Sequence, residues 1–146
     1  MLQSDDIQAS DHFGYSVSMS SDGTKVLVGA RYEDPNNISN AGSAYVFTYN
    51  GTSWVQEQKI VASDMQATDM FGYHVAMSGN GLKAIVGAYG EDTRGTTAGA
   101  AYIFDLNSVT DSGFVFDTST QVFTATGSGI GSGSTVQLEG ADGTLY

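Results

Sequence analysis

"DMFGYHVAMSGNGLKAIVGAYGED" occupies residues 69–92, and nearly the same string, "DHFGYSVSMSSDGTKVLVGARYED", occupies residues 11–34. Phe13 and Gly14 recur as Phe71 and Gly72, Gly29 and Ala30 as Gly87 and Ala88, and Asp34 as Asp92, all at an offset of 58. A chain that repeats a segment at this period builds one supersecondary unit twice, and such units cannot bury their apolar faces alone. Further on, "AGSAYVF" (41–47) returns as "AGAAYIF" (98–104) at an offset of 57. The stretch between, "PNNISN" against "TRGTT", has lost one residue, which marks a surface loop.

Each unit reads as strands. "GYSVSMS" alternates Tyr15, Val17 and Met19 against Ser16 and Ser18, and "GYHVAMS" repeats Tyr73, Val75 and Met77 on one face, so a half-buried first strand with its apolar face inward is expected. Asp-Gly in "SDGT" and Asn-Gly in "GNGL" tolerate the positive φ of a tight hairpin turn. "KVLVGA" and "KAIVGA" follow as second strands, apolar on both sides and hence central. "SAYVFTY" and "AAYIFDL" supply third strands, and "TSWVQEQKIVA" a fourth whose Gln56, Glu57, Gln58 and Lys59 dress a solvent-facing sheet edge. Four antiparallel strands graded in this way and repeated describe a blade of a β-propeller, so the fold class is all-β.

The paired Phe-Gly and Gly-Ala landmarks over residues 3–105 resemble FG-GAP repeats, the blade-forming units also found in integrin α-subunit propellers. The resemblance implies two four-stranded blades (about 3–62 and 63–108, within 1–108), an extracellular or surface setting, adhesion or ligand recognition, and often calcium. The third position of the Gly-Ala-Pro box holds Arg31 or Tyr89. Calcium-binding members carry several acids along the hairpin between strands one and two; here that hairpin offers only Asp22 in one copy and Asn80 in the other.

Composition narrows the function classes. With 19 Gly, one Pro, 11% aromatic and 14% charged residues, the 146-residue chain is turn-rich and strand-rich, not helical or disordered. Sixteen acids against five Lys and Arg give a net charge of −11, without the basic face that nucleic acid requires. Such acidity suits a saline, cation-rich medium and solubility. The absence of Cys removes disulfides and thiolate chemistry. "MLQSDDIQAS" lacks the basic and apolar regions of a signal peptide, and no stretch approaches the ~18 apolar residues of a membrane span. The chain is expected to be soluble, without membrane insertion, and either mature, a fragment, or delivered without a signal.

Recurring acids flank the start of strand one and the end of strand two: Asp6, Asp11 and Asp34 match Asp64, Asp69 and Asp92. Loop carboxylates can hold a hard cation such as Ca²⁺, which takes six to eight oxygens. They can equally cap their own loops by accepting from backbone N–H groups. Arg31, Tyr32, Tyr89 and Arg94, on loops that differ between the units, are the candidate ligand-binding residues, since aromatic and Arg side chains suit recognition of a protein or glycan. His12 and His74 occupy unrelated places. No nucleophile elbow, paired catalytic Glu or "HExxH" is present, and "TGSGIGSGST" (126–135) lacks the Lys of a phosphate loop, so no enzyme is expected. "NIS" at 37 and "NGT" at 50 are glycosylation sequons on expected loops.

From 105 onward the repeat breaks. "GFVFDTSTQVF" resembles a copy of the outer hairpin that completes or extends the second blade, and "STVQLEG" (134–140) adds a strand, so residues 109–146 read as a β-rich extension with a Gly/Ser-rich loop. Propellers close with about four to eight blades, and two units cannot close a ring. Neighbouring blades or a homo-oligomer, such as three copies supplying six blades, are the expected partners. The resulting expectation is a non-enzymatic extracellular, cell-surface or virion-surface module for adhesion or ligand recognition, within a larger assembly. Alternatives are a structural protein of a phage or virus particle or an extracellular filament, and a fragment of a larger calcium-binding propeller.

Overall fold

A computed structural model describes residues 1–106 in full, together with the backbone of residues 114–117 and 122–125. The chain divides into two compact units, Met1–Leu106 and Asn107–Tyr146. The first unit holds both repeats as two antiparallel sheets. One has four strands in sequence order: β1 (Phe13–Met19), β2 (Lys25–Ala30), β3 (Ser43–Tyr49) and β4 (Trp54–Ile60). The other has three: β5 (Phe71–Met77), β6 (Lys83–Ala88) and β7 (Ala100–Asp105). In the second unit, β8 (Phe114–Asp117) and β9 (Val122–Ala125) form a hairpin that pairs Phe116 with Phe123. Four strands per blade thus hold for the first repeat. The second has three in its sheet among the described residues, and the strand expected over 134–140 lies outside them.

The hairpins form for the reason their Gly residues indicate. Gly23 and Gly81 adopt φ of 70° and 69°. Asp22 accepts from the Thr24 N–H and the Ser20 hydroxyl, and Asn80 accepts from the Leu82 N–H and the Ser78 hydroxyl. These side chains satisfy turn groups that would otherwise face water or go unpaired. Three hydrogen bonds from Ser20 and Thr24 hold the Asp22 carboxyl below its ordinary range.

Phe-Gly is a bulge. Phe13 pairs with Ala30 and Ser16 with Gly29, so Gly14 and Tyr15 face no partner; Phe71 to His74 repeats the pattern. Gly14 and Gly72 take φ of 88° and 86°, the left-handed region that a Cβ disfavours. The kink swings Phe71 between Tyr102 and Phe104, with ring centroids 5.5 and 5.8 Å apart. Phe71 is fully buried, and burial of this kind stabilises by about 3 kcal/mol.

Two sheet faces meet across one seam. Leu27, Ala44, Val46 and Ile60 of the first sheet pack against Phe71, Ala84, Val86 and Ala88 of the second. The backbones approach as closely as the side chains. The Thr68, Met70 and Phe71 N–H groups donate to the Ser39, Asn40 and Ala41 carbonyls at 2.9, 3.1 and 2.8 Å. Ser16 Oγ donates to the Gly72 carbonyl at 2.9 Å, and the Met77 N–H donates to Ser18 Oγ at 3.0 Å. A Cβ on Gly29 would stand 2.1 Å from the Gly72 oxygen, and one on Gly42 2.1 Å from the Phe71 oxygen. Only hydrogen fits there.

The seam corrects one expectation. Tyr15, Val17 and Met19 share a face as their alternation requires, but in β1 that face is exposed and Ser16 and Ser18 turn inward against the second sheet. In β5 the same alternation is reversed in burial: Tyr73, Val75 and Met77 are half-buried, while His74 and Ala76 are exposed. Burial follows the neighbouring sheet, not the strand. For the same reason β2 is buried on both faces, whereas Ile85 of β6 is exposed.

Gly29→Ala is expected to destabilise the chain by about 3 kcal/mol, because the seam must open. Gly87→Ala meets nothing nearer than 3.7 Å and is expected to add about 0.5 kcal/mol in dilute solution, by removing a strand glycine. Urea midpoints of the two variants compare them directly, and equal midpoints would disprove the close-approach account.

Candidate functional site

The seam brings together one rim of both sheets. Tyr15 and Tyr73 leave their bulges on that rim, Arg31 and Tyr32 follow β2, and Tyr89 follows β6. The Arg31 guanidinium carbon lies 3.8 Å from the Tyr15 ring centroid, 4.4 Å from that of Tyr32 and 5.1 Å from that of Tyr73. Tyr73 stands 5.1 Å from Tyr15 and 5.2 Å from Tyr89, and His12 stands 4.8 Å from Tyr32. Ring quadrupoles attract a cation in such a cage by about 0.5–2 kcal/mol each. The Tyr73 hydroxyl and burial together push the Tyr15 phenol up, against the opposing pull of Arg31.

Charge distinguishes Arg31 from the lysines. Lys25 pairs with Glu57 at 3.3 Å, Lys59 with Asp6 at 2.6 Å and Glu33 at 3.0 Å, and Lys83 with Asp105 at 2.5 Å. Arg31 meets no carboxylate among the described residues, and its buried Nε has no hydrogen-bond partner. The cage is therefore a cation held by rings with donor capacity unused. Of the four residues singled out in the sequence, Arg31, Tyr32 and Tyr89 belong to this rim. Arg94 is exposed in the turn closed by the Gly95 N–H and the Asp92 carbonyl, and it touches no described ring or acid. Alternation alone puts Tyr15 and Tyr73 on a core face. They keep the faces of Val17 and Val75, and the signal that places them on the rim is their position at the start of each strand, beside the Phe-Gly bulge.

The six repeated aspartates occupy equivalent places in the repeats, and five of them accept from backbone or tyrosine. Asp11 accepts from the Gln8 N–H and Asp69 from the Gln66 N–H, both at 2.6 Å. Asp34 accepts from the Asn40 N–H at 2.7 Å. Asp6 accepts from the Tyr45 hydroxyl and Asp64 from the Tyr102 hydroxyl, both at 2.9 Å. The Asp92 side chain is exposed beside its turn. Among the described residues, no three or more acids or histidines stand close enough together to share a cation.

The two acid clusters differ in compensation. In the first repeat, buried Glu33 accepts from Lys59 and the Ser43 hydroxyl. Burial raises the Asp6 carboxyl, but hydrogen bonds from Lys59 and Tyr45 outweigh it and hold the group below its ordinary value. Burial and donation to Asp6, beside the Glu33 charge, push the Tyr45 phenol well up. In the second repeat Ala100 stands where Ser43 does, and buried Glu91 accepts from the Thr93 N–H. Burial raises the Asp69 carboxyl, the Gln66 N–H opposes, and the charges of Glu91, Asp92 and Asp64 add to the rise.

Comparison with known families settles the relationship. The FG-GAP repeat family matches residues 1–47 and again residues 54–104, one match for each repeat. The chain belongs to the FG-GAP repeat family. Both matches span the Phe-Gly bulge and run into the third strand of their repeat, and together they include the close-approach glycines Gly29, Gly42 and Gly72 of the seam. No curated protein matches the sequence. As an FG-GAP protein, the chain carries a propeller-type β module.

A raised carboxyl adds stability that is complete below the ordinary value of 3.8 and is lost as pH rises through the folded value. Asp69→Asn keeps the acceptor for Gln66 and removes the charge. Its melting temperature should therefore exceed that of the parent by a few degrees at pH 7, with the gap closing below pH 3.8. Chelation of divalent cations should leave the melting temperature unchanged; a drop reversed by added Ca²⁺ would reinstate a cation cage.

Proposed function

We propose that this protein is a non-enzymatic surface module that recognises a glycan at the Arg31 cage. Arg31 carries the reading: it is a half-buried guanidinium among three tyrosines, with no carboxylate among the described residues and an unpaired Nε. Sugar C–H faces stack on tyrosine rings, and the guanidinium donates to hydroxyl or carboxylate oxygens. The net charge of −11 repels polyanions at long range, which favours a neutral or singly acidic oligosaccharide over a sulfated polymer. An extracellular or virion-surface location accords with the resemblance to adhesion propellers. The Ser hydroxyl bonds that fix the seam and the hairpin turns go to backbone and to turn or acid side chains, which accords with a non-catalytic role. A second reading, a structural subunit of a particle or filament, draws on the exposed Ile85 and Ile103.

Binding to immobilised neutral and uronic-acid oligosaccharides tests the glycan reading. Arg31→Ala is expected to weaken retention about tenfold or more, Arg31→Lys to restore part of it, and Arg94→Ala to leave it unchanged. Equal retention of the parent and Arg31→Ala, or no retention of the parent, would overturn it.

A further inference from the structure

The outward face of the second sheet repeats a surface that the first sheet has covered. In the first sheet, Leu27 and Val46 are 0% and 1% exposed beneath the Phe71–Gly72 bulge. Their counterparts in the second sheet, Ile85 and Ile103, are 44% and 72% exposed. Beside them runs a groove of about 580 Å³, lined by Gly87, Tyr89, Thr97, Ala98, Gly99 and Ala101 among others. It occupies the position at which the first sheet receives the bulge.

Three details shape the groove for another backbone. Gly87 has no positive φ, and a Cβ added to it would meet nothing nearer than 3.7 Å, so its own chain has no need of a glycine there. Its counterpart Gly29 is glycine because the Gly72 oxygen would stand 2.1 Å from a Cβ. A glycine inside a strand weakens it unless another backbone approaches closely. The carbonyls of Thr97 and Ala98 correspond to those of Asn40 and Ala41, which accept from Met70 and Phe71, yet accept nothing among the described residues. His74 stands where Ser16 donates to the Gly72 carbonyl, and it is exposed with a ring N–H that can make the same bond.

The matching surface lies on the opposite side of the same chain. Gly14 has φ of 88°, as Gly72 has 86°, but a Cβ on Gly14 would meet nothing within 4 Å, where one on Gly72 would stand 2.3 Å from the Ser43 oxygen. Val17 and Met19 are 64% and 56% exposed, whereas their counterparts Val75 and Met77 are half-buried in the seam. The N–H groups of Ser10 and His12 correspond to those of Thr68 and Met70, which donate across the seam, and have no acceptor among the described residues.

We propose that the groove at Gly87 and Gly99 receives a second copy of this protein, whose Phe13–Gly14 bulge docks there as Phe71–Gly72 docks on the first sheet. The contact joins two different faces, so each copy keeps one face for the next. Such head-to-tail association closes a ring where the rotation permits. With two blade sheets from residues 1–106 of each copy, about two to four copies would supply the four to eight blades of a propeller.

The inference rests on the assembly reading above, and the groove shares Tyr73 and Tyr89 with the rim around Arg31. Light-scattering mass and sedimentation of the full chain test it. The parent is expected as a discrete multiple of 15.3 kDa. Val17→Glu and Gly87→Val each leave local packing open, so both are expected to fold, as far-UV dichroism checks, and to run as monomers. Mixing the two is expected to give a heterodimer and nothing larger, because one sound face survives on each. Ile103→Glu, at another exposed position, provides a further variant that should also run as a monomer. A parent that stays monomeric at every soluble concentration would overturn the proposal. So would protection of the Ala98 and Gly99 region from hydrogen exchange in a monomer, which assigns the groove to residues 107–146. Self-association unchanged by the three substitutions would overturn it as well. Retention on oligosaccharide, measured on the same samples, reports separately on Arg31.

Discussion

Backbone-to-backbone contact at the seam governs this structure. The Phe71 and Gly72 oxygens stand where Cβ atoms of Gly42 and Gly29 would lie, and three N–H donors of residues 68–71 reach carbonyls of residues 39–41. This distance brings Leu27 and Val46 against Val86 and buries Phe71 completely. It also brings Tyr15 within stacking range of Tyr73, which completes the cage around Arg31. A wider separation would cost apolar burial, several hydrogen bonds and the recognition rim together.

The same close approach explains why equal sequences adopt unequal environments. β1 and β5 share Phe-Gly-Tyr, Val and Met, yet only β5 buries part of its apolar side. Glu33 has Lys59 from a fourth strand to balance it, whereas Asp69 lies among the charges of Glu91, Asp92 and Asp64. Position in the stack therefore sets burial and ionisation as much as residue type does.

Strand spans and hairpin turns were legible in the sequence, because alternation and the Asp-Gly and Asn-Gly dipeptides act locally. The inward side of β1 was not, since which side is covered depends on a sheet 58 residues away. Arg31, Tyr32 and Tyr89 stood out by lying on loops that vary between repeats. Tyr15 and Tyr73 did not, because alternation assigns them to a core, and the rim they share forms only where the two sheets stack. The recurring aspartates could be matched by offset alone, but their backbone and tyrosine partners required coordinates.

Tandem duplication exposes a chain to strand exchange while it folds, since near-identical neighbours compete for one partner. β1 and β5 differ at two positions, Ser16 against His74 and Ser18 against Ala76. Those two serines are the ones that bond across the seam, to the Gly72 carbonyl and from the Met77 N–H. A β5 strand installed in the place of β1 would bring Ala76 to the Ser18 position and forfeit the bond from the Met77 N–H, at about 1 kcal/mol. The Ser18 hydroxyl thus helps to encode the order in which the copies must stack.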